Sequence, residues 1–165
     1  MGSYFKNIVY PLSLHSIQKA SLYSKDAFSL LQELNQELER ITGCSGANSF
    51  SEDGLVAFLI AYVDEYPIGC GAIRRYDDQT AEIKRIYARK NHCGAAHRLL
   101  ASLEHTASIE GFHSLCLETR KVNEHAVSFY LGCGYEITPN YGKYAGRDDA
   151  VCFGKSLISI AANSK

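Results

Sequence analysis

AEIKRIYARKNHCGAAHRLLASL, residues Ala81 to Leu103, is the stretch around which the rest of the chain is organised. A strand-like run ends at Tyr87, a polar loop holding Gly94 follows, and an apolar-periodic segment begins at once, so the pattern reads strand, tight loop, helix. Such a turn suits a phosphate. The first N–H groups of a helix lack intrahelical partners and point outward, and the helix dipole favours negative charge there. Small residues at Gly94 and Ala96 let a ligand come close to the backbone.

Downstream, Ala95 to Glu110 carries Leu99, Leu100, Leu103, Ala107 and Ile109 in a mainly helical period, and Gly111 stops it. Ser114 to Thr119 is the next strand, and a strand, helix, strand unit of this length implies a parallel pair. Asn123 to Leu131 reads as a short helix. Gly134 to Thr138 and Ala150 to Leu157 read as two final strands joined by PNYGKYAGRDD.

Upstream, Leu55 to Tyr62 and Ile68 to Tyr76 make a meander with Ala81 to Tyr87. Strict alternation in this third run places Glu82, Lys84 and Ile86 on one face and Ile83, Arg85 and Tyr87 on the other. Asp26 to Ile41 is an amphipathic helix whose Glu33, Glu37 and Glu39 read either as a solvated face or as an attraction for a cationic substrate. Thr42 to Asp53, TGCSGANSFSED, reads as a loop. The sum is an α/β fold of the α+β type, a mixed, mostly antiparallel sheet flanked by helices, in one domain over residues 1–165.

Composition bounds the function. Charged residues are 21% of the 165 and the formal net charge is −1, which argues against disorder and against a nucleic-acid partner, so any electropositive site must be local. The chain holds no run of apolar residues long enough for a membrane span and no leader-like N-terminus, so the expectation is a cytoplasmic protein with no membrane partner. The six cysteines form no CxxC pair and read as small buried hydrophobes rather than bridges. Cys93 stands apart because it lies in the loop before a helix N-terminus. No His or Cys spacing suggests a metal.

IYARKNHCGAAHRLL resembles the acetyl-coenzyme A signature of the GNAT N-acetyltransferase superfamily, a hydrophobic strand end followed by Arg/Gln-x-x-Gly-x-Gly/Ala and a helix. The six-residue loop is then Asn91, His92, Cys93, Gly94, Ala95 and Ala96. Gly94 and Ala96 match, and Asn91 departs from the usual Arg or Gln. LCLETRKVNEHAVSFYLGCGYEI is similar to the family's later motif, with Asn123, Ala126, Tyr130, Gly134 and Tyr135 in matching order and spacing. The two motifs together span about residues 81 to 137.

The resemblance implies an acyl-CoA N-acyltransferase architecture and transfer of an acetyl group from acetyl-coenzyme A to a primary amine by direct attack in a ternary complex. It implies that the backbone of Ile86, Tyr87 and Ala88 pairs with pantetheine, that the loop holds the pyrophosphate, and that Tyr130 protonates the departing thiolate. Tyr130 also reads as a core tyrosine. By the same resemblance Asn123 bonds the coenzyme, while its position also reads as a helix N-cap. Glu82 fills a place some branches use for the general base, and equally reads as a strand glutamate paired with Lys84 or Arg74. His92 is expected to face the coenzyme phosphates or solvent. By the same resemblance Tyr141, Tyr144, Asp148 and Asp149 fall where the family borders the acceptor, and they read equally as surface turn chemistry; the acidic residues there and in the first helix suit a cationic amine. The resemblance implies a small-molecule or peptide amine as acceptor and a homodimer as the assembly. The rival readings are a non-catalytic acyl-CoA sensor of the same fold and a nucleotide binder. The nucleotide binder lacks a Lys-Ser/Thr pair after the loop and a GxGxxG.

Overall fold

The computed structural model describes residues 15–44 and 50–157. Residues 45–49 of the loop read over Thr42 to Asp53 lie outside the described residues, as does the N-terminal stretch before His15. In chain order the elements are β1 (His15–Lys19), α1 (Lys25–Thr42), β2 (Leu55–Val63), β3 (Tyr66–Arg75), β4 (Thr80–Ala88), α2 (Ala95–Ile109), β5 (Ser114–Arg120), α3 (Glu124–Gly132), β6 (Glu136–Thr138) and β7 (Ala150–Ser156). Among the described residues the seven strands form one sheet in the order β1-β2-β3-β4-β5-β7-β6. Its one parallel pair is β4 with β5, as the crossover helix requires.

Each face of the sheet takes its own helix. Ser24 caps α1, its side chain accepting from the Ala27 N–H at 3.2 Å, and Gly43 ends it in a left-handed conformation. The apolar stripe of Ala27 and Leu30 packs on Phe58, Ile60, Cys70 and Ala72. On the opposite face α2 buries Leu99, Leu100 and Leu103 against Leu59, Ile73, Ile83, Leu117 and Phe153. Each such leucine contributes about 1.5–3 kcal/mol of burial free energy. β1, the sheet edge, was not legible in the sequence. HSIQK has one apolar position, Ile17, and is held as a strand by its antiparallel register with β2, from His15↔Val63 to Lys19↔Leu59.

The alternation read through Ala81 to Tyr87 is corrected at Arg85. Lys84 pairs with Ala72 but Tyr87 pairs with Cys70, so β4 holds one residue more than β3 across this interval. Arg85 absorbs it with φ 59°. This β-bulge reverses the faces beyond it. Ile86 therefore joins Ile83 on the α2 side, and Tyr87 joins Glu82 and Lys84 on the other. Gly71 makes room for the reversed Ile86: a Cβ there would lie 2.7 Å from Ile86 Cδ1 and 2.8 Å from Leu103 Cδ1.

Candidate active site

β4 and β5 pair over only three positions, Thr80↔Ser114, Ala81↔Leu115 and Glu82↔Cys116. Beyond Glu82 they part, because β4 bulges at Arg85 while β5 stays in register with β7 along its whole length. Among the described residues, the β5-facing backbone of β4 from Ile83 to Ala88 is left without a strand partner. Ile86, Tyr87 and Ala88 thus present an open strand edge, the geometry to which an extended ligand adds as a further strand.

At the end of that edge stands the turn. Asn91 adopts φ 71° and Gly94 φ 83°, both left-handed. Asparagine tolerates that region better than most residues, and an arginine or glutamine would strain there, which gives the departure at Asn91 a backbone reason. The side chains of Asn91, His92 and Cys93 make no hydrogen bond among the described residues, and Cys93 is exposed. α2 has no side-chain cap and no acid in its first turn. The Ala95 N–H bonds the His92 carbonyl at 3.1 Å, while the N–H groups of Ala96 and His97 find no acceptor among the described residues. A helix N-terminus uncapped in this way, with His97 and Arg98 in its first turn, fits a pyrophosphate. The turn is fixed to α1 by Arg89, which donates to Glu33 from Nε at 2.9 Å and to the Pro67 carbonyl at 2.7 Å. Glu33 is therefore an ion-pair partner rather than part of a solvated face, and the Arg89 guanidinium holds its carboxyl below the usual glutamate range.

A cleft of about 500 Å³ opens where the strands part. Tyr130 enters it from the α2 side. Its ring packs edge-on to Phe129 and Tyr135, with centroids 5.2 and 5.7 Å away, so it is a core tyrosine as well as a cleft residue. Its hydroxyl has no partner among the described residues, and burial pushes it above the ordinary tyrosine range, so it carries its proton at neutral pH. Asn123 is the N-cap of α3, its side chain accepting from the Ala126 N–H at 3.2 Å, and it also lines the cleft.

From the opposite face comes Glu118, a residue the sequence did not single out. In β5 the alternation that buries Leu115 and Leu117 under α2 turns Glu118 the other way. Its side chain is 11% exposed and its Oε1 has no hydrogen bond among the described residues, Arg120 Nε at 3.9 Å being too distant. Burial raises its carboxyl above the usual range, opposed by Arg120. Glu82, by contrast, is 7% exposed and spoken for. It accepts from the Tyr141 hydroxyl at 2.6 Å and pairs with Lys84 at 3.3 Å, and it does not line the cleft. Lys84 donates on to the Tyr144 hydroxyl at 2.6 Å. This chain ties the 3-10 turn at Gly142–Tyr144 to β4 and forms one wall of the cleft. The only signal for Glu118 in the sequence is its even position in a strand whose first two odd positions, Leu115 and Leu117, are leucine.

No group of three or more metal-ligating side chains occurs among the described residues, and no described helix is long and apolar enough to cross a membrane. The described cysteines are all free.

The open mixed sheet, with its parallel pair splayed beside an uncapped helix N-terminus, matches the acyl-coenzyme A N-acyltransferase fold. A Klebsiella pneumoniae structure assigned to the acyl-CoA N-acyltransferases superposes with a TM-score of 0.76 at 23% identity, over 88% of this chain and 99% of that one. A GNAT family acetyltransferase from Elizabethkingia anophelis, solved with acetyl-CoA bound, gives 0.66 at 16% identity, over 86% of this chain and 97% of that one. In sequence the chain is 26% identical over 135 residues to the uncharacterized N-acetyltransferase YsnE of Bacillus subtilis (strain 168), which covers 75% of this chain and 89% of that protein. Residues 17–135 match the Acetyltransferase (GNAT) family, and the chain belongs to it.

Proposed function

We propose that the protein is a single-domain N-acetyltransferase that moves an acetyl group from acetyl-coenzyme A to a primary amine by direct attack, with Tyr130 as the acid and Glu118 as the base. The observation that carries this is the open β4 edge lying between a protonated tyrosine on one side of the sheet and an unsatisfied carboxylate on the other. When bound, acetyl-coenzyme A supplies an acyl group already activated as a thioester.

The chain's residues do the rest. The N–H groups of the turn and of α2's first residues bind the pyrophosphate, with Gly94 providing the left-handed corner. The unpaired backbone of Ile86 to Ala88 orients the donor and supplies an N–H to the carbonyl oxygen as charge develops there. Glu118 takes a proton from the acceptor ammonium, and its raised pKa brings it closer to working pH than an ordinary carboxylate. Tyr130 would give its proton to the departing sulfur as the C–S bond breaks, and its oxygen would take back the second proton that the nitrogen loses once the C–N bond has formed. Glu82 acts through others: by holding Tyr141 and Lys84 it fixes the wall on which the acceptor rests.

Two measurements on the purified chain test this reading. Thermal melting with coenzyme A reports binding, and release of free thiol from acetyl-coenzyme A across an amine panel reports turnover. We expect both. Stabilisation with no thiol release from any amine would make the protein an acyl-coenzyme A sensor.

A further inference from the structure

The charge on the cleft wall narrows the class of acceptor. Among the described residues, seven lysine and arginine side chains line the cleft against two carboxylates, Glu118 and Asp149. The chain as a whole carries a net charge of −1, so this excess is a local concentration. None of residues 89–98 is on the wall, so these cations are separate from the turn that suits the pyrophosphate.

Much of the wall's charge is matched within the chain. Asp149 is shared by Arg120 at 2.8 Å and Arg147 at 2.9 Å, and Lys84 is paired with Glu82. Arg74, Lys121 and Lys143 have no carboxylate within ion-pair distance among the described residues. Arg74 lies across from Glu82 in the β3/β4 register, on the face away from α2. Lys143 stands in the 3-10 turn, its ammonium 5.4 Å from the Tyr144 ring centroid. The acids that would favour a cationic acceptor are engaged elsewhere or off the wall: Glu33 with Arg89, Glu37 with Arg40, and Asp148 outside the cleft.

We infer that the acceptor is a small amine that also carries an anionic group, a carboxylate or a phosphate, held by Arg74 and Lys143 with its amine toward Glu118. The inference rests on the acetyl-transfer reading above. Unmatched cations in a concave wall attract an anion, and a purely cationic amine is repelled from them. The same field assists the chemistry, because nearby positive charge lowers the pKa of the acceptor's ammonium and raises the share present as free amine. A cleft of about 500 Å³ fits a small molecule.

The test is thiol release from acetyl-coenzyme A with matched pairs: free amino acids against their amides, phosphoethanolamine against ethanolamine, and spermidine as the cationic contrast. The carboxylate and phosphate pairs identify which anion is used. We expect the anionic member of at least one pair to exceed its neutral twin by about tenfold or more in kcat/KM. In Lys143→Ala, and more so in Arg74→Gln with Lys143→Ala, that preference should collapse through a higher acceptor KM, with the KM for acetyl-coenzyme A unchanged. Equal or better turnover of the neutral twins or spermidine, or a preference that survives in Lys143→Ala and in the double variant, would overturn the inference. Thiol release from no amine would instead sink the acetyl-transfer reading. In that case calorimetric titration of the coenzyme A-saturated protein with the N-acetyl derivatives of the same pairs decides: tighter binding of the acids supports the anion site, and equal binding overturns it.

Discussion

Glu118→Gln separates a catalytic carboxylate from a structural one, because the two roles predict opposite changes in stability. Glu118 Oε1 is buried without a hydrogen bond and lies 3.9 Å from its nearest cation. Leaving a buried polar atom unsatisfied costs about 1–3 kcal/mol, and more when it is charged. Glutamine keeps the shape and removes the charge, so we expect the variant to be more stable by about 1 kcal/mol, a rise in Tm of roughly 2–4 °C for a chain of this size. The sign follows from linkage. Burial raises the folded-state pKa above the unfolded value, so the contribution of Glu118 to stability is fully present below the unfolded carboxyl range and is lost as pH rises through the folded pKa. The gain in Glu118→Gln should therefore be largest at about pH 8 and shrink toward pH 5. Over the same range kcat/KM should fall by about 10²- to 10⁴-fold, and the acidic limb of the pH–rate profile should disappear. Differential scanning calorimetry at the two pH values and thiol-release kinetics read both effects. An unchanged kcat/KM, or a Tm that falls at about pH 8, would refute the assignment. An acidic limb that persists in Glu118→Gln and vanishes in Glu82→Gln would move the base to Glu82.

Other substitutions probe the remaining parts. Tyr130→Phe should lower kcat by about 10- to 1,000-fold with little change in coenzyme A affinity or Tm, since the hydroxyl has no partner to lose among the described residues; steady-state kinetics and calorimetry check this. Gly94→Val should weaken coenzyme A binding in a calorimetric titration and lower Tm. A Cβ at residue 94 meets nothing within 4 Å, but φ 83° costs a β-branched residue about 1–2 kcal/mol or more. Gly71→Ala should cost about 1 kcal/mol by denaturant titration, because the added methyl would meet Ile86 Cδ1 at 2.7 Å and Leu103 Cδ1 at 2.8 Å, and these two side-chain ends must shift within a packed core.

The fold reads from the sequence wherever a period is long enough to count. Leu99, Leu100 and Leu103 at helical spacing, and the strand before and after them, require a crossover and hence the parallel β4/β5 pair. β1 fails that standard, because five residues with one apolar position carry no period, and its strand exists through pairing with β2. Asn123 and Tyr130 were legible through their spacing in a motif; of the roles read for them, the structure shows the helix cap at Asn123 and the core tyrosine at Tyr130, and both residues line the cleft. Glu33 was not legible as an ion-pair partner, since Arg89 lies 56 residues away.

By itself, the sequence determined the class of fold, the strand–turn–helix that suits a phosphate and the family, because periodicity and motif spacing are local properties of the chain. Tertiary structure alone decided where the strands part, which carboxylate is left unsatisfied and what charge the cleft carries. The bulge at Arg85 shows the reason: one extra residue on β4, invisible to alternation, reverses Ile86 and Tyr87. Glu82 and Glu118 are equally acidic as letters. Tyr141 and Lys84, brought to Glu82 by a distant turn and its own strand, occupy one and leave the other facing the gap.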